Sequence, residues 1–187
     1  MKKGFIGPIG DDIPSIFPII GGVILFVATF ALSAQIVDEK NDLLKVQRET
    51  LSLAYLATES GFVTEEDFLK NCDNRLQQQA INKGIKMLVT VKRFCDGIPL
   101  NELQKSETDP AFEFYSPYYI DAGQENELGH TWLYCSWNGQ TISDLPPGLN
   151  KPTSKNTVTL TYPIAVPCPD VDSATSGIGV VNVVGWK

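Results

Sequence analysis

The residue types in this chain best suited to chemistry are four cysteines, Cys72, Cys95, Cys135 and Cys168, and a single histidine, His130. A structural zinc site draws on closely spaced ligand pairs. No two of these cysteines form a Cys-x-x-Cys pair, so neither a metal nor another cofactor is expected. An even number of well-separated cysteines in a small domain points instead to two disulfides in an oxidising compartment. Four reduced, buried thiols are the alternative. All three pairings are open. Cys72–Cys95 with Cys135–Cys168 is preferred because it closes the shorter loops and joins neighbouring elements, each bridge adding ~2–4 kcal/mol.

Catalytic patterns are absent. Gly129-His130-Thr131 carries no nucleophile motif, and the chain has no Gly-x-Ser-x-Gly, P-loop or dinucleotide fingerprint. Gly177-Ile178-Gly179 is too short for the last and precedes a strand. Asp109, Glu113, Asp121, Glu125 and Glu127 fall in an aromatic-rich region with Phe112, Phe114, Tyr115, Tyr118 and Tyr119. Calcium or a sugar would suit such a loop, but it reads better as a solvated contact surface anchored by its aromatics. Trp132, Trp137 and Trp186 read as core or rim of a sheet. No enzyme is expected, and a net charge of −7 argues against a nucleic-acid partner.

What must position these residues begins with an anchor. From Ile13 to Val37 no residue is charged. A helix needs ~20 apolar residues to cross the ~30 Å core of a bilayer, so residues 13–37 read as one transmembrane helix with a lipid bilayer as its partner. A buried soluble helix is one alternative, opposed by the charge-free length, and a cleaved secretory signal is the other: Ala31-Leu32-Ser33 and Ser33-Ala34-Gln35 approach small-x-small sites, but the apolar run is longer than such signals use. Asp11, Asp12 or Ser15 can cap the entry. Pro18 starts the regular helix near Phe17 or bends it. Lys2 and Lys3 precede the span, and Lys40, Lys45 and Arg48 follow it. The charge count therefore does not orient the helix; the cysteines, all after the span, place the C-terminal part outside the cytoplasm.

Ser33 to Ser60 contains neither proline nor glycine. Ile36, Leu43, Leu44, Leu51, Ala54 and Thr58, with Gln47 as the exception in the stripe and Leu53, Leu56 and Ala57 beside it, recur at helical spacing, so residues 38–60 continue the span as an amphipathic helix that ends at Gly61. Thr64-Glu65-Glu66-Asp67 starts a second helix running to about Asn82, with Phe68, Leu69, Cys72, Leu76 and Ile81 inward. The pattern then turns to strands: Ile85–Cys95, a hairpin of Thr131–Trp137 and Gln140–Ile142 about Asn138-Gly139, Val158–Tyr162, and Ile178–Trp186. Asp144–Gly148 and Pro163–Asp170 read as turns. Helices followed by strands predict an α+β domain over 61–187, a mainly antiparallel sheet covered by the amphipathic helix.

A membrane helix continuing as an amphipathic helix, then a disulfide-tied β-rich head, resembles the archaeal type IV pilin-like membrane proteins, minor pilins or pseudopilins in particular. Lys2-Lys3-Gly4-Phe5 is similar to the basic-basic-glycine site cut by prepilin peptidases. The resemblance implies residues 1–12 as a cytoplasmic tail or leader, with cleavage between Gly4 and Phe5. It implies a helix assembly face, here Phe26, Ile36, Leu44 and Leu51, and other pilin-like subunits as partners in a cell-surface filament or membrane complex. The chain departs from the family at the fifth mature position, where Ile9 replaces the usual glutamate and Gly7-Pro8-Ile9-Gly10-Asp11-Asp12 interrupts the apolar run. Asp11 or Asp12 would take the glutamate's part or only cap the helix. The alternative function is a membrane-anchored extracytoplasmic binding module or accessory subunit. A tethered hydrolase is the least expected.

Overall fold

A computed structural model describes residues 9–94, 116–120, 131–139, 148–168 and 176–187. The protein is α+β: a long N-terminal helix, a short helical segment and a mainly antiparallel four-stranded sheet. Helix α1 spans Ile9–Thr58, and the chain divides into two compact units, Met1–Asn41 and Asp42–Lys187.

In the first unit the helix is described from Ile9 onward.

In the second unit α1 ends at Thr58, and Gly61 donates its backbone N–H to the Thr58 carbonyl at 3.0 Å. Gly61 has φ +67°, a left-handed conformation that glycine adopts without penalty. Helix α2 (Glu65–Asn71) starts as the sequence predicts: Thr64 caps it, its hydroxyl accepting from the Asp67 N–H at 3.2 Å, with three acids in the first turn. A π-helical turn follows (Cys72–Leu76), then α3 (Gln77–Lys83), closed by left-handed Gly84. The expectation that Leu69 and Ile81 face inward is corrected. Both are exposed, while Phe68, Cys72, Leu76 and Ala80 are buried. A strict α-helix would rotate a four-residue stripe forward by about 40° at each step. The wider π turn cancels that drift, so spacing by four stays on one face.

The sheet contains β1 (Lys86–Phe94), β3 (Thr131–Trp137), β5 (Thr157–Pro167) and β6 (Ser176–Trp186) in the order β3-β1-β6-β5, every pair antiparallel. A register shift between Val91 and Lys92 places a bulge at Trp132. Two short strands, β2 (Tyr119–Ile120) and β4 (Gly148–Leu149), pair with each other. Strand β5 runs on through Pro163 to Pro167, where a turn was expected. It is an edge strand, and an edge accommodates proline because a missing N–H need not remove a ladder bond. The chain leaving α1 covers part of this edge: the Val63 N–H donates to the Ala165 carbonyl at 3.0 Å, and the Ala165 N–H to the Gly61 carbonyl at 3.2 Å. Of the expected hairpin, β3 is present and Asn138-Gly139 follow it as a bend; residues 140–142 lie outside the described residues.

Alternation assigns the two sheet faces. Met87, Val89, Val91, Leu133, Cys135, Val181, Val183, Ile164 and Val166 form the main core with Val46, Leu53, Ala54, Phe68, Leu76 and Ala80 of the helices. Thr50 of α1 lies against Gly185, where β6 has no side chain to hold the helix away. On the opposite face Leu88, Val184 and Ile120 form a smaller cluster with Tyr118, Tyr134 and Trp186 around it.

Candidate functional site

The expected disulfide pairing is wrong. Cys72 bonds Cys135, with Cα atoms 5.7 Å apart and a sequence separation of 63. Loop length was the wrong criterion. Cys72 sits on the buried stripe of the π-helical turn, and that stripe packs on the sheet face that carries Cys135. Cys168 is disulfide-bonded as well, and Cys95 lies outside the described residues. Among the described residues no cysteine is free. The bridge ties the helical segment to the edge strand β3, to which the Gln77 carboxamide also donates, through the Ser136 carbonyl at 3.3 Å.

In the first unit every large apolar side chain from Phe17 to Val37 that is described is exposed, Phe26 and Ile36 among them. The segment is long and apolar enough to cross a membrane. Between Phe17 and Val37 the two side-chain hydroxyls bond within the helix. The Thr29 hydroxyl lies 2.9 Å from the carbonyls of both Leu25 and Phe26, and Ser33 donates to the Thr29 carbonyl at 2.8 Å. Such internal bonding removes the cost of placing hydroxyls in hydrocarbon. A Cβ at Gly21 or Gly22 would meet nothing within 4 Å, which leaves a smooth strip of backbone at the surface.

In the second unit α1 has two apolar faces. Val46, Thr50, Leu53 and Ala54 are buried against the sheet. Leu44, Leu51 and Tyr55 are 62%, 57% and 67% exposed. The sequence stripe mixed the two faces, because Leu44 and Leu51 have helical spacing with Ala54 and Thr58 but point away from the sheet. Between the faces the Glu49 carboxylate is buried. One of its oxygens accepts from Arg48 Nε at 3.0 Å and Nη2 at 2.7 Å, and the other lies 3.8 Å from Lys83 Nζ.

A polar strip crosses the sheet face opposite the helices. Thr161 donates to the Asn182 carboxamide oxygen at 2.9 Å, and Asn182 Nδ2 to the Thr90 hydroxyl at 3.4 Å. Lys92, fully buried at the end of this strip, donates from Nζ to the Ser116 carbonyl at 2.9 Å. Burial lowers its pKa from 10.5 to about 7, because desolvation penalises the charged form. Sequence reasoning missed Lys92, although a lysine alternating with Leu88 and Thr90 inside an apolar strand was the available signal. The strip is held by Tyr118, whose hydroxyl is 2.8 Å from that of Thr159, and by Thr131, which donates to the Tyr119 carbonyl at 2.8 Å. Tyr118 and Tyr119, from the aromatic-rich region, thus lie against the sheet. Arg93 stacks 5.0 Å from the ring centroid of Trp132. Trp132, Trp137 and Trp186 are half-buried around the two clusters.

Lys2, Lys3, Gly4 and Phe5 lie outside the described residues, as do His130, Asp109, Phe112, Glu113, Phe114, Tyr115, Asp121, Glu125 and Glu127. Among the described residues no three metal-ligating side chains cluster.

In comparison with known proteins the chain matches no family model, no curated protein and no solved structure.

Proposed function

We propose that this protein is a pilin-like structural subunit, anchored in a lipid bilayer by the apolar part of α1 and assembled with other such subunits through the exposed face of the same helix. One observation carries the reading: Leu44, Leu51 and Tyr55 stay exposed on the stretch of α1 whose other face packs on the sheet. A bilayer accounts for the apolar residues before Asp38. It gives no reason for large apolar side chains among Asp42, Lys45, Arg48 and Glu49. Leu44 and Leu51 stand seven residues apart, and Phe30 and Val37 continue that interval upstream. Heptad spacing of this kind lets a helix seat knobs in the holes of a neighbouring helix. A simple anchored module, the second reading, has no use for Leu51 and Tyr55 on the surface.

The test is chemical cross-linking in native membranes. The wild type and Gln78→Asp, a polar position exposed on α3, should give a ladder of oligomers. Leu44→Asp and Leu51→Asp should give monomer with an unchanged circular dichroism spectrum. An undiminished ladder in Leu51→Asp would sink the assembly reading. N-terminal sequencing of the same material decides processing: a chain starting at Phe5 fits a prepilin-type cut, one starting at Met1 the uncut module.

A further inference from the structure

On the sheet face opposite the helices lies a cleft of about 430 Å³, walled by Lys86, Leu88, Ser136, Asn138 and Trp186 on the sheet side and by the strap Asn150–Thr153 on the other. Its volume is that of a small-molecule site. Its sheet-side walls follow from register: Lys86 pairs with Trp186, and Leu88 with Ser136, so their side chains rise on one face. The strap is fixed, since the Asn150 N–H donates to the Tyr118 carbonyl at 2.8 Å.

Two features distinguish this cleft from an ordinary surface dent. The Ser136 hydroxyl, 5% exposed, is the buried side-chain polar atom without a hydrogen-bond partner among the described residues. A buried hydroxyl left unpaired costs free energy, and the residue that carries it is part of the wall of this cleft. The second feature is charge. Among the described residues the lining carries Lys86 and Lys151 and no carboxylate, on a chain of net charge −7. Neither ammonium forms a salt bridge among the described residues.

We propose that this cleft binds an acidic saccharide. The two ammonium groups call for an anion. The indole of Trp186 and the ring of Pro152 supply apolar wall of the kind that stacks on the C–H face of a sugar ring. The hydroxyls of Ser136 and Thr153 and the carboxamide of Asn138 each donate and accept, which matches vicinal sugar hydroxyls. A bare inorganic anion would use the lysines and leave the wall and the hydroxyls idle. The site is independent of α1, so it stands or falls apart from the assembly reading.

The experiment is calorimetric titration of the full chain in mild detergent with trigalacturonate, against neutral maltotriose and inorganic phosphate. Saturable binding of trigalacturonate in the millimolar range or tighter is expected, at least about tenfold stronger than either comparison ligand. Lys86→Gln with Lys151→Gln should weaken it about tenfold or more, as loss of charge-assisted hydrogen bonds does. Ser136→Ala should weaken it severalfold without lowering the thermal midpoint, because the hydroxyl has no hydrogen-bond partner among the described residues and its loss removes an unpaired buried group. Equal binding of maltotriose, equal binding of phosphate, indifference to the lysine changes, or no saturable binding at all would each overturn the proposal.

Discussion

Thr50 of α1 rests directly on Gly185 of β6. A Cβ built on Gly185 would lie 3.1 Å from the Thr50 Cβ and would run into its hydroxyl. That hydroxyl is not available to move, since it donates to the Val46 carbonyl at 2.7 Å on the buried face. Gly185→Ala is therefore an overpacking substitution and should destabilise the protein by about 1–3 kcal/mol. Thr50→Ala in the same chain removes the hydroxyl and should restore part of the loss, so the double variant should be more stable than the sum of the singles. Denaturant unfolding of the four proteins checks this. Simple additivity would mean that the helix does not bear on this glycine.

The Cys72–Cys135 bridge fixes the helical segment to an edge strand across a long loop, and such closure stabilises chiefly by restricting the unfolded chain. Cys72→Ser with Cys135→Ser should lower stability by about 2–5 kcal/mol. Peptide mapping without reduction should yield a linked pair carrying residues 72 and 135. A linked pair carrying 72 and 95 would restore the short-loop pairing.

The fold was legible where period and punctuation agree. Thr64 with three following acids, Gly61, Gly84 and the alternation in β1 and β6 each specify their element by local chemistry, and the antiparallel sheet followed from them. What depended on tertiary register was not legible. A π turn carries no sequence mark, and it moved the inward face from Ile81 to Ala80. Pro163 reads as a turn until β5 is known to be an edge. Leu44 and Ala54 have one spacing but two destinations, because only the packed sheet decides which helix face it takes. The cleft lined by Lys86, Ser136 and Trp186 brings together three strands and a strap far apart in sequence, so neighbouring residues announce nothing.

Lys92 makes stability depend on pH. Its pKa is about 7 when folded and near 10.5 when unfolded, so between those values the unfolded chain holds a proton that the native one does not. Stability then rises with pH, by up to about 1.4 kcal/mol per pH unit. The gain is complete above 10.5 and is lost as pH falls to about 7, where the native protein must charge a buried amine. Lys92→Met should remove this slope. The difference in unfolding free energy between wild type and variant should thus change between pH 7.0 and 9.0 by on the order of 1–3 kcal/mol, in favour of the wild type at the higher pH. A constant difference would show that Lys92 does not titrate in that window.

The ion pair of Arg48 and Glu49 is unequal: the side chain of Glu49 is 3% exposed and that of Arg48 76%. Removing one partner of a pair costs most when the charge left behind is buried. Arg48→Ala strands the Glu49 carboxylate with only Lys83, 3.8 Å away and itself largely in water. It should cost about 1–3 kcal/mol. Glu49→Gln leaves the guanidinium in solvent and a neutral carboxamide in the buried place, and should cost less than about 1 kcal/mol. Lys83→Ala, which breaks only the long contact, should also fall below about 1 kcal/mol. Urea unfolding of the three variants tests the order. A larger loss for Glu49→Gln than for Arg48→Ala would mean that the carboxylate itself, rather than its neutralisation, holds α1 to α3.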